Sequence, residues 1–300
     1  MRKPDFFIIG GPKCGTTALF QYLSKHQRIF MPDIKETKYF SSDIEGFRSR
    51  HIQTESQYMN LFREASDEHI AVGEASVFYM YSSVAVPAIL KFQPEARFIA
   101  MVRNPVDLVY SLHHQLLFGG YECISDKDFG NEWKHQRGIT EKEMKESGGV
   151  LYRNVGRLGE QVQRLYSLVP QEQTMIIVFD DFAADTPGTY RDVLKFLGVP
   201  NDGRTEFPAV NVNKVRRYAW PDRIYRRIPS WITKCAYRLG LKHSMYQALK
   251  RKINCIRQKR DPLPGSLRAE MVEEFSDDID LLASLLHRDL KHWKHTDDIT

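Results

Sequence analysis

Short apolar runs alternate with longer segments of helical periodicity along most of the chain. The apolar runs are Asp5 to Ile9, Ile70 to Val72, Arg97 to Val102 and Thr174 to Phe179. Apolar runs of this length, bounded by turn residues, are typical of buried strands. Strands that alternate with helices predict an α/β fold, in which helices flank a central parallel sheet. We expect the whole chain to form one such domain.

Capping signals and apolar stripes predict the main helices. A first helix is expected from Thr16 to His26, and a second has Asn104 as N-cap, Pro105 at N1 and an end near Phe118. Another long helix is expected to begin at Tyr152. Ser266 is the predicted N-cap of the last helix, whose apolar stripe comprises Met271, Phe275, Ile279, Leu282 and Leu286.

Two segments depart from the alternating pattern. The chain is polar and mixed in charge from Gly119 to Gly149, which predicts an insertion or lid over the site (residues 119–149). Residues 215–260, here called the basic segment, contain fourteen Lys and Arg but only one acid, Asp222. The positive charge of this segment therefore exceeds the net charge of the whole chain, which is +5. We predict a helical appendage. Its charge indicates either contact with an anionic partner or surface, or solvated amphipathic helices.

Composition narrows the class of protein. Hydrophobic residues make up 42% and charged residues 27%, as in an ordinary globular protein. The four cysteines form no CxxC pair, which argues against a zinc site or a disulfide framework and is typical of a reducing compartment. No apolar run has membrane-spanning length, and Phe6 to Ile9 is too short for a signal peptide. We therefore expect a cytoplasmic protein with no transmembrane anchor and no nucleic-acid partner; oligomeric state is left open.

A glycine-rich loop follows the first predicted strand and opens the first predicted helix. Gly10 and Gly15 have the spacing of a Walker loop, GxxxxGK[ST], but Thr16 stands at the position of the Walker lysine. The loop instead carries a lysine in its interior, Lys13. Backbone N–H groups at a helix N-terminus favour an anion. The sequence therefore predicts a phosphate site, but without the lysine clamp that a nucleoside triphosphatase uses.

The segment FIIGGPKCGTTAL resembles the 5′-phosphosulfate loop of PAPS-dependent sulfotransferases, particularly the branch with the heparan sulfate N- and 3-O-sulfotransferases. PAPS is 3′-phosphoadenosine 5′-phosphosulfate, and its product PAP is the 3′,5′-bisphosphate. The resemblance implies that PAPS is the donor and that no metal is required. It assigns nucleotide binding to Pro12, Lys13, Cys14, Gly15, Thr16 and Thr17.

A second motif resembles the 3′-phosphate site of the same family. In RNPVDLVYS, the residues that match are Arg103, Pro105 and Ser111. An Arg fork binds a phosphate dianion well, and a serine hydroxyl adds another donor. Relatives also close a late basic loop over the nucleotide, which makes Lys214, Arg216 and Arg217 further candidates.

The segment DIKETKYF resembles the KE-x-x-FF segment whose glutamate is the catalytic base in the heparan sulfate branch. This resemblance assigns the base to Glu36, flanked by Lys35 and Lys38 as acceptor ligands. Sulfuryl transfer needs removal of the acceptor proton and relief of negative charge on the leaving phosphate, and Lys13 is suited to the second task.

Other segments offer competing or additional site residues. GEASVFY resembles a GE-x-S-P-x-Y motif with valine in place of the proline, which makes Glu74 the rival base or a substrate ligand and adds Ser76 and Tyr79. Tyr152 and Arg153 are further acceptor candidates. Some branches use a histidine base, but we expect His113 and His114 to be structural.

The sequence thus predicts a sulfotransferase that acts on a hydroxyl or amine of a small-molecule or carbohydrate acceptor. Two alternatives of other classes stay open. One is a P-loop kinase or nucleotidase that acts on a phosphorylated nucleoside, and the other is a non-enzymatic protein that binds polyanions through the basic segment.

Overall fold

The computed structural model describes residues 1–44, 46, 52–119, 124–147, 149–210, 214–216, 255–257 and 261–296. Five strands form the central sheet: β1 (Phe6–Ile8), β2 (Ile29–Phe30), β3 (Ala71–Ala75), β4 (Arg97–Val102) and β5 (Thr174–Val178). Their order is β2-β3-β1-β4-β5, and every neighbouring pair is parallel. The predicted α/β fold with a central parallel sheet is confirmed.

The strand register brings the carboxyl ends of the inner strands to one edge of the sheet. Ile8 pairs with Ala75 on one side and with Ile99 on the other, and Val102 pairs with Val178. The residues that follow these strands therefore converge. In open parallel sheets, ligands bind at this edge.

Helices flank the sheet over the described residues. Their bounds are α1 (Thr16–Leu23), α2 (Glu55–Met59), α3 (Ala85–Phe92), α4 (Pro105–Gly119), α5 (Phe129–His135), α6 (Glu141–Glu146), α7 (Tyr152–Gly156), α8 (Leu158–Leu168), α9 (Phe179–Ala184), α10 (Thr186–Leu197) and α11 (Gly265–Leu285). The N-cap prediction for α4 is confirmed, because the Asn104 side chain accepts a hydrogen bond from the backbone of Val106 at 3.0 Å.

Three helix predictions need correction. The first helix ends at Leu23, before His26. The last helix begins at Gly265 after Pro264, with no side-chain cap, so Ser266 is not its N-cap. The helix that begins at Tyr152 breaks at Arg157, whose ψ of 72° is not helical. It therefore forms two helices, α7 and α8, in place of a single long one.

Helix α11 packs against α8 through the predicted apolar stripe. Met271, Phe275, Ile279 and Leu282 are all buried, whereas Leu286, the last residue of the predicted stripe, is half-buried and lies just after the end of the helix. On the same helix, the Asp278 carboxylate accepts hydrogen bonds from the backbone N–H groups of Gly159 and Glu160, at 2.8 and 2.9 Å. A carboxylate at a helix N-terminus satisfies donors that have no partner within the helix, so α11 caps α8.

The segment after α11 joins two strand ends. The backbone oxygen of Trp293 accepts from the Asn104 amide at 3.0 Å, and the Trp293 indole donates to Asp180 at 2.7 Å. Asn104 follows β4, and Asp180 follows β5 in the first turn of α9. Trp293 therefore braces the two strand ends against each other.

The segment predicted as an insertion or lid is helical and anchored where it is described. Trp133 in α5 is fully buried, its ring centroid lies 5.9 Å from that of Phe275, and its indole donates to Glu270 at 2.7 Å. Phe129 packs against Tyr110, with centroids 5.2 Å apart. The buried aromatic side chains tie residues 124–147 to α4 and α11.

Most of the basic segment lies outside the described residues. Its described parts are two short strands, β6 (Lys214–Arg216) and β7 (Cys255–Arg257), which pair antiparallel with Val215 opposite Ile256. These strands were not predicted, because the segment was expected to be helical.

Among the residues that the structure describes, none of the helices combines the length and the apolar character that a membrane span requires.

Candidate active site

An open cleft lies at the carboxyl edge of the sheet, with about 720 Å³ of empty space that includes its opening to solvent. The predicted site residues that line it are Pro12, Lys13, Gly15, Thr16, Thr17, Lys35, Glu36, Arg103 and Ser111. The phosphate loop, the Arg103 motif and the candidate base thus meet in one place, although they are far apart in the sequence.

The glycines of the phosphate loop allow close packing and a tight turn. A Cβ at Gly10 would lie 2.1 Å from the backbone nitrogen of Met101, so only glycine lets the loop rest directly on β4. Gly15 has a φ of 88° and precedes α1 without any side-chain cap. The N-terminus of α1 therefore presents its helix dipole to the cleft, an arrangement that favours an anion.

Lys13 and Cys14 lie in opposite environments within that loop. Lys13 lines the cleft and has a left-handed backbone, with a φ of 65°. The Cys14 side chain is fully buried, and burial raises the pKa of its thiol to about 12. Cys14 was predicted to bind the nucleotide, but its thiol packs in the core and does not line the cleft.

Arg103 is held in position by three neighbours. Its guanidinium donates to the Lys13 backbone oxygen at 3.3 Å and lies 4.7 Å from the centroid of the Phe179 ring. Asp107 stands 4.0 Å away and is itself bound by Arg268 at 2.6 Å. An Arg that is already oriented loses less conformational freedom when it binds a phosphate.

Glu36 lies in a strained turn beside the carboxyl end of β3. Its backbone N–H donates to the Ala75 oxygen at 2.8 Å, and its carboxylate accepts from the Val77 N–H at 3.2 Å and pairs with the Lys35 ammonium. Glu36 has a φ of 66° and Lys38 a φ of 55°. Each such conformation costs about 1–3 kcal/mol in a non-glycine residue and is typical of functional sites.

A buried hydroxyl network lies behind Glu36 and is centred on Glu74. One carboxylate oxygen of Glu74 accepts from the hydroxyls of Thr37 and Ser76, both at 2.7 Å. The other accepts from the Tyr58 hydroxyl at 3.0 Å. Burial raises the pKa of Glu74 to about 7, although the hydroxyls of Ser76, Thr37, Tyr58 and Tyr79 act in the opposite direction.

Glu74, Ser76 and Tyr79 were predicted to contact the acceptor, but all three are buried and none lines the cleft. Glu74 was also the rival base, and in this structure its carboxylate has no exposed surface. Lys38 lies outside the lining as well. These four residues surround or support the Glu36 turn without facing the cleft.

Tyr152 and Arg153 are likewise placed away from the cleft. The Tyr152 hydroxyl is 2.9 Å from a ring nitrogen of His113, and both side chains are buried. The Arg153 guanidinium lies 4.0 Å from the centroid of the Trp133 ring and 3.4 Å from Glu274. Burial lowers the pKa of His113, so His113 is a neutral, structural side chain, as expected.

Sequence reasoning missed five residues of the lining: Ala18, Val77, Gln115, Phe179 and Val210. Gln115 lies one helical turn after Ser111, a spacing that could have identified it. Phe179 directly follows β5 and could have been found from the strand-end rule. For the late basic residues, the structure gives only the strand that contains Lys214 and Arg216, and Arg217 lies outside the described residues.

Comparison with known proteins decides the family. A profile of the family described as "Sulfotransferase domain" matches residues 3–226, which is most of the chain. The chain belongs to the sulfotransferase family. This confirms the resemblance to PAPS-dependent sulfotransferases noted in its motifs.

The sulfotransferase is similar to several curated proteins. It is 27% identical to carbohydrate sulfotransferase 15 of Mus musculus over 65% of its own length and 44% of the relative's, so it spans less than half of that protein. It is 23% identical to the membrane-associated sulfotransferase kil1 of Dictyostelium discoideum, over 97% of its length and 67% of the relative's. Identity to the human bifunctional heparan sulfate N-deacetylase/N-sulfotransferase 3 is 27%, over 66% of this chain and 22% of the relative.

A solved sulfotransferase structure from Alicyclobacillus acidocaldarius has the same fold. It superposes with a TM-score of 0.71 and 28% identity, over 98% of this chain and all of the other. Within the part of the sulfotransferase that the structure describes, no three His, Cys, Asp or Glu side chains are grouped as metal ligands.

Proposed function

We propose that this sulfotransferase transfers the sulfuryl group of PAPS to a hydroxyl or amine of a carbohydrate or small-molecule acceptor. One observation carries the proposal. A helix N-terminus, a pre-oriented Arg and a carboxylate line the same cleft, through Thr16, Arg103 and Glu36. These are the groups needed to hold two phosphates and to accept a proton.

The proposal assigns each end of PAPS to a different part of the cleft. The 5′-phosphosulfate would lie against the phosphate loop and the uncapped N-terminus of α1, with Lys13 beside it. The 3′-phosphate would bind Arg103 and Ser111, which line the same cleft on α4 and the strand end before it. Lys214, Arg216 and Arg217 would close over the bound nucleotide.

The mechanism is a direct in-line transfer. The acceptor oxygen or nitrogen attacks sulfur while Glu36 takes its proton, and the bond from sulfur to the bridging phosphate oxygen breaks. PAP leaves with the electron pair of that bond. Lys13 and the loop N–H groups stabilise the charge that develops on its phosphate, a role in which fixed donors are most effective.

A carbohydrate acceptor is supported by two of the relatives. One is named a carbohydrate sulfotransferase and another a heparan sulfate N-sulfotransferase. The acceptor would reach sulfur from the side of the cleft where Glu36 and Lys35 stand. The basic segment, by its charge, would attract an anionic acceptor or hold the enzyme near an anionic surface.

A thermal-shift comparison tests the donor. PAP should raise the melting temperature far more than 5′-AMP does, because only PAP carries the 3′-phosphate assigned to Arg103 and Ser111. The Arg103→Ala variant should respond equally to both nucleotides. An equal shift from PAP and AMP in the unmodified protein would refute the assignment, and a larger shift from ATP with Mg²⁺ would favour a kinase.

Mass spectrometry tests the reaction and its base. The enzyme is incubated with labelled PAPS and pools of de-sulfated glycosaminoglycan oligosaccharides, simple glycosides, phenols and amines, and products are examined for a gained sulfuryl group. Glu36→Gln should lose about 10²–10⁴-fold in rate, as expected for loss of a general base, with an unchanged PAP shift. Asp33→Asn, an exposed change in the same loop, is the control and should stay active.

A further inference from the structure

Glu74 is a fully buried acid that the proposed mechanism does not use. It sits in β3 directly behind the turn that carries Glu36, and its carboxylate accepts three hydroxyl hydrogen bonds. A buried acid is costly unless its oxygens are well hydrogen-bonded. A buried acid directly beside the candidate base therefore calls for a role other than packing.

The two hydroxyls that donate to one oxygen of Glu74 both contact the turn that carries Glu36. Thr37, which directly follows Glu36, donates its hydroxyl to that oxygen. The Ser76 hydroxyl donates to the same oxygen and in turn accepts from the backbone N–H of Lys38, at 3.1 Å. One carboxylate oxygen thus holds the two residues that follow Glu36 in the chain.

The neighbouring tyrosine extends the same support. The Tyr79 hydroxyl lies 3.0 Å from the Thr37 hydroxyl and accepts from the backbone N–H of Phe40 at 3.3 Å. The segment that these bonds restrain includes Glu36 and Lys38, both in left-handed conformations that the chain does not adopt readily by itself. Such strain persists only where surrounding contacts impose it.

We propose that Glu74 is a positioning residue that orients Glu36 by accepting hydrogen bonds from Thr37 and Ser76. The inference rests on the proposed function, in which Glu36 is the base. For this positioning role Glu74 needs an acceptor oxygen and not a negative charge, because the Thr37 and Ser76 hydroxyls both donate to the same oxygen. A glutamine amide can supply that oxygen, and its N–H can donate to the Tyr58 hydroxyl, which accepts as well as donates.

Two matched pairs of variants test the proposal. Glu74→Gln keeps the acceptor and Glu74→Met removes it at similar volume, while Thr37→Ser keeps the hydroxyl and Thr37→Val removes it. We expect kcat to fall about tenfold to hundredfold in Glu74→Met and Thr37→Val, as for a misplaced catalytic group. Both conservative variants should retain kcat within the same order of magnitude as the unmodified enzyme. The rate is measured with the acceptor found by mass spectrometry.

Two further readouts do not depend on the acceptor. Amide hydrogen exchange over residues 36–40 should accelerate in Glu74→Met and Thr37→Val, but not in their conservative partners. The thermal shift with PAP should be unchanged in all four. Asp278→Leu removes another buried carboxylate, whose hydrogen-bond partners are the backbone N–H groups of Gly159 and Glu160 and not those of the turn, so it should lower stability without changing exchange over residues 36–40.

The outcomes separate this inference from the proposed function. Equal loss of kcat in Glu74→Gln and Glu74→Met would mean that charge is required, and would overturn the positioning role. Unchanged exchange and kcat in both Thr37→Val and Glu74→Met would also overturn it. If Glu74→Met does not fold, the Thr37 pair decides alone. An active Glu36→Gln enzyme would instead refute the assignment of the base, whatever the exchange data show.

Discussion

Replacing Glu74 with glutamine removes a titratable group from the interior of the protein with little change in its shape. Burial raises the pKa of this carboxyl from 4.5 to about 7. The native state therefore keeps the proton over a range in which the unfolded chain has released it. Each pH unit of that range is worth about 1.4 kcal/mol, so the total is about 3 kcal/mol.

The sign of this effect follows from the direction of the pKa change. A carboxyl whose pKa is raised on folding contributes its stability fully below the unfolded pKa of 4.5. That contribution is lost progressively as the pH rises to about 7. The free energy of unfolding should therefore fall with rising pH in the unmodified protein by more than it does in Glu74→Gln.

Urea unfolding followed by circular dichroism measures the difference directly. Between about pH 5 and about pH 8, the unmodified protein should lose about 2.5 kcal/mol more than Glu74→Gln does. Other titrating groups are common to both proteins and cancel in the comparison. Parallel changes in the two proteins would refute the reasoning, and a larger loss in Glu74→Gln would reverse its sign.

Three further predictions concern the loop, its packing and the basic segment. Lys13→Ala should stay folded but lose about 10²–10³-fold in kcat, and near-normal turnover would move charge stabilisation elsewhere. Gly10→Ala should fail to fold or melt far lower, because the added Cβ would meet the Met101 backbone at 2.1 Å, whereas Gly265→Ala, with nothing within 4 Å, should melt normally. Added salt should lower kcat/KM more than kcat if residues 215–260 attract the acceptor, and a salt-independent kcat/KM would indicate solvated helices.

The bounds of β4 were predictable from its apolar pattern, whereas the full length of β3, which contains the buried acid Glu74, was not. Arg97–Val102 has the bounds expected from its pattern. The strand β3 continues through Gly73 and Glu74 to Ala75, whereas the apolar run that predicted it ended at Val72. Glu74 lies in a buried strand because hydroxyls of Thr37, Tyr58 and Ser76 hydrogen-bond to it, and no local pattern reveals the two partners, Thr37 and Tyr58, that come from other segments.

The candidate site was predictable where it depends on strand ends. Lys13, Arg103 and Glu36 were each assigned from motifs that follow a predicted strand or helix, and all three line the cleft. The motifs did not show which side chains face inward. Tyr79 and Tyr152 stand at motif or helix-start positions, yet both are buried, because that choice depends on packing between distant elements.

The contacts of Trp293 bear on the order in which the cleft forms as the chain folds. The phosphate loop packs at Gly10 against Met101 of β4, so it has no surface to rest on until β4 is in place. The ends of β4 and β5 pair directly in the sheet and are also linked through Trp293, which follows both strands in the chain. Parallel pairing of distant strands is slow to form. We therefore expect the cleft to form late in folding, after contacts between segments that are far apart in the sequence.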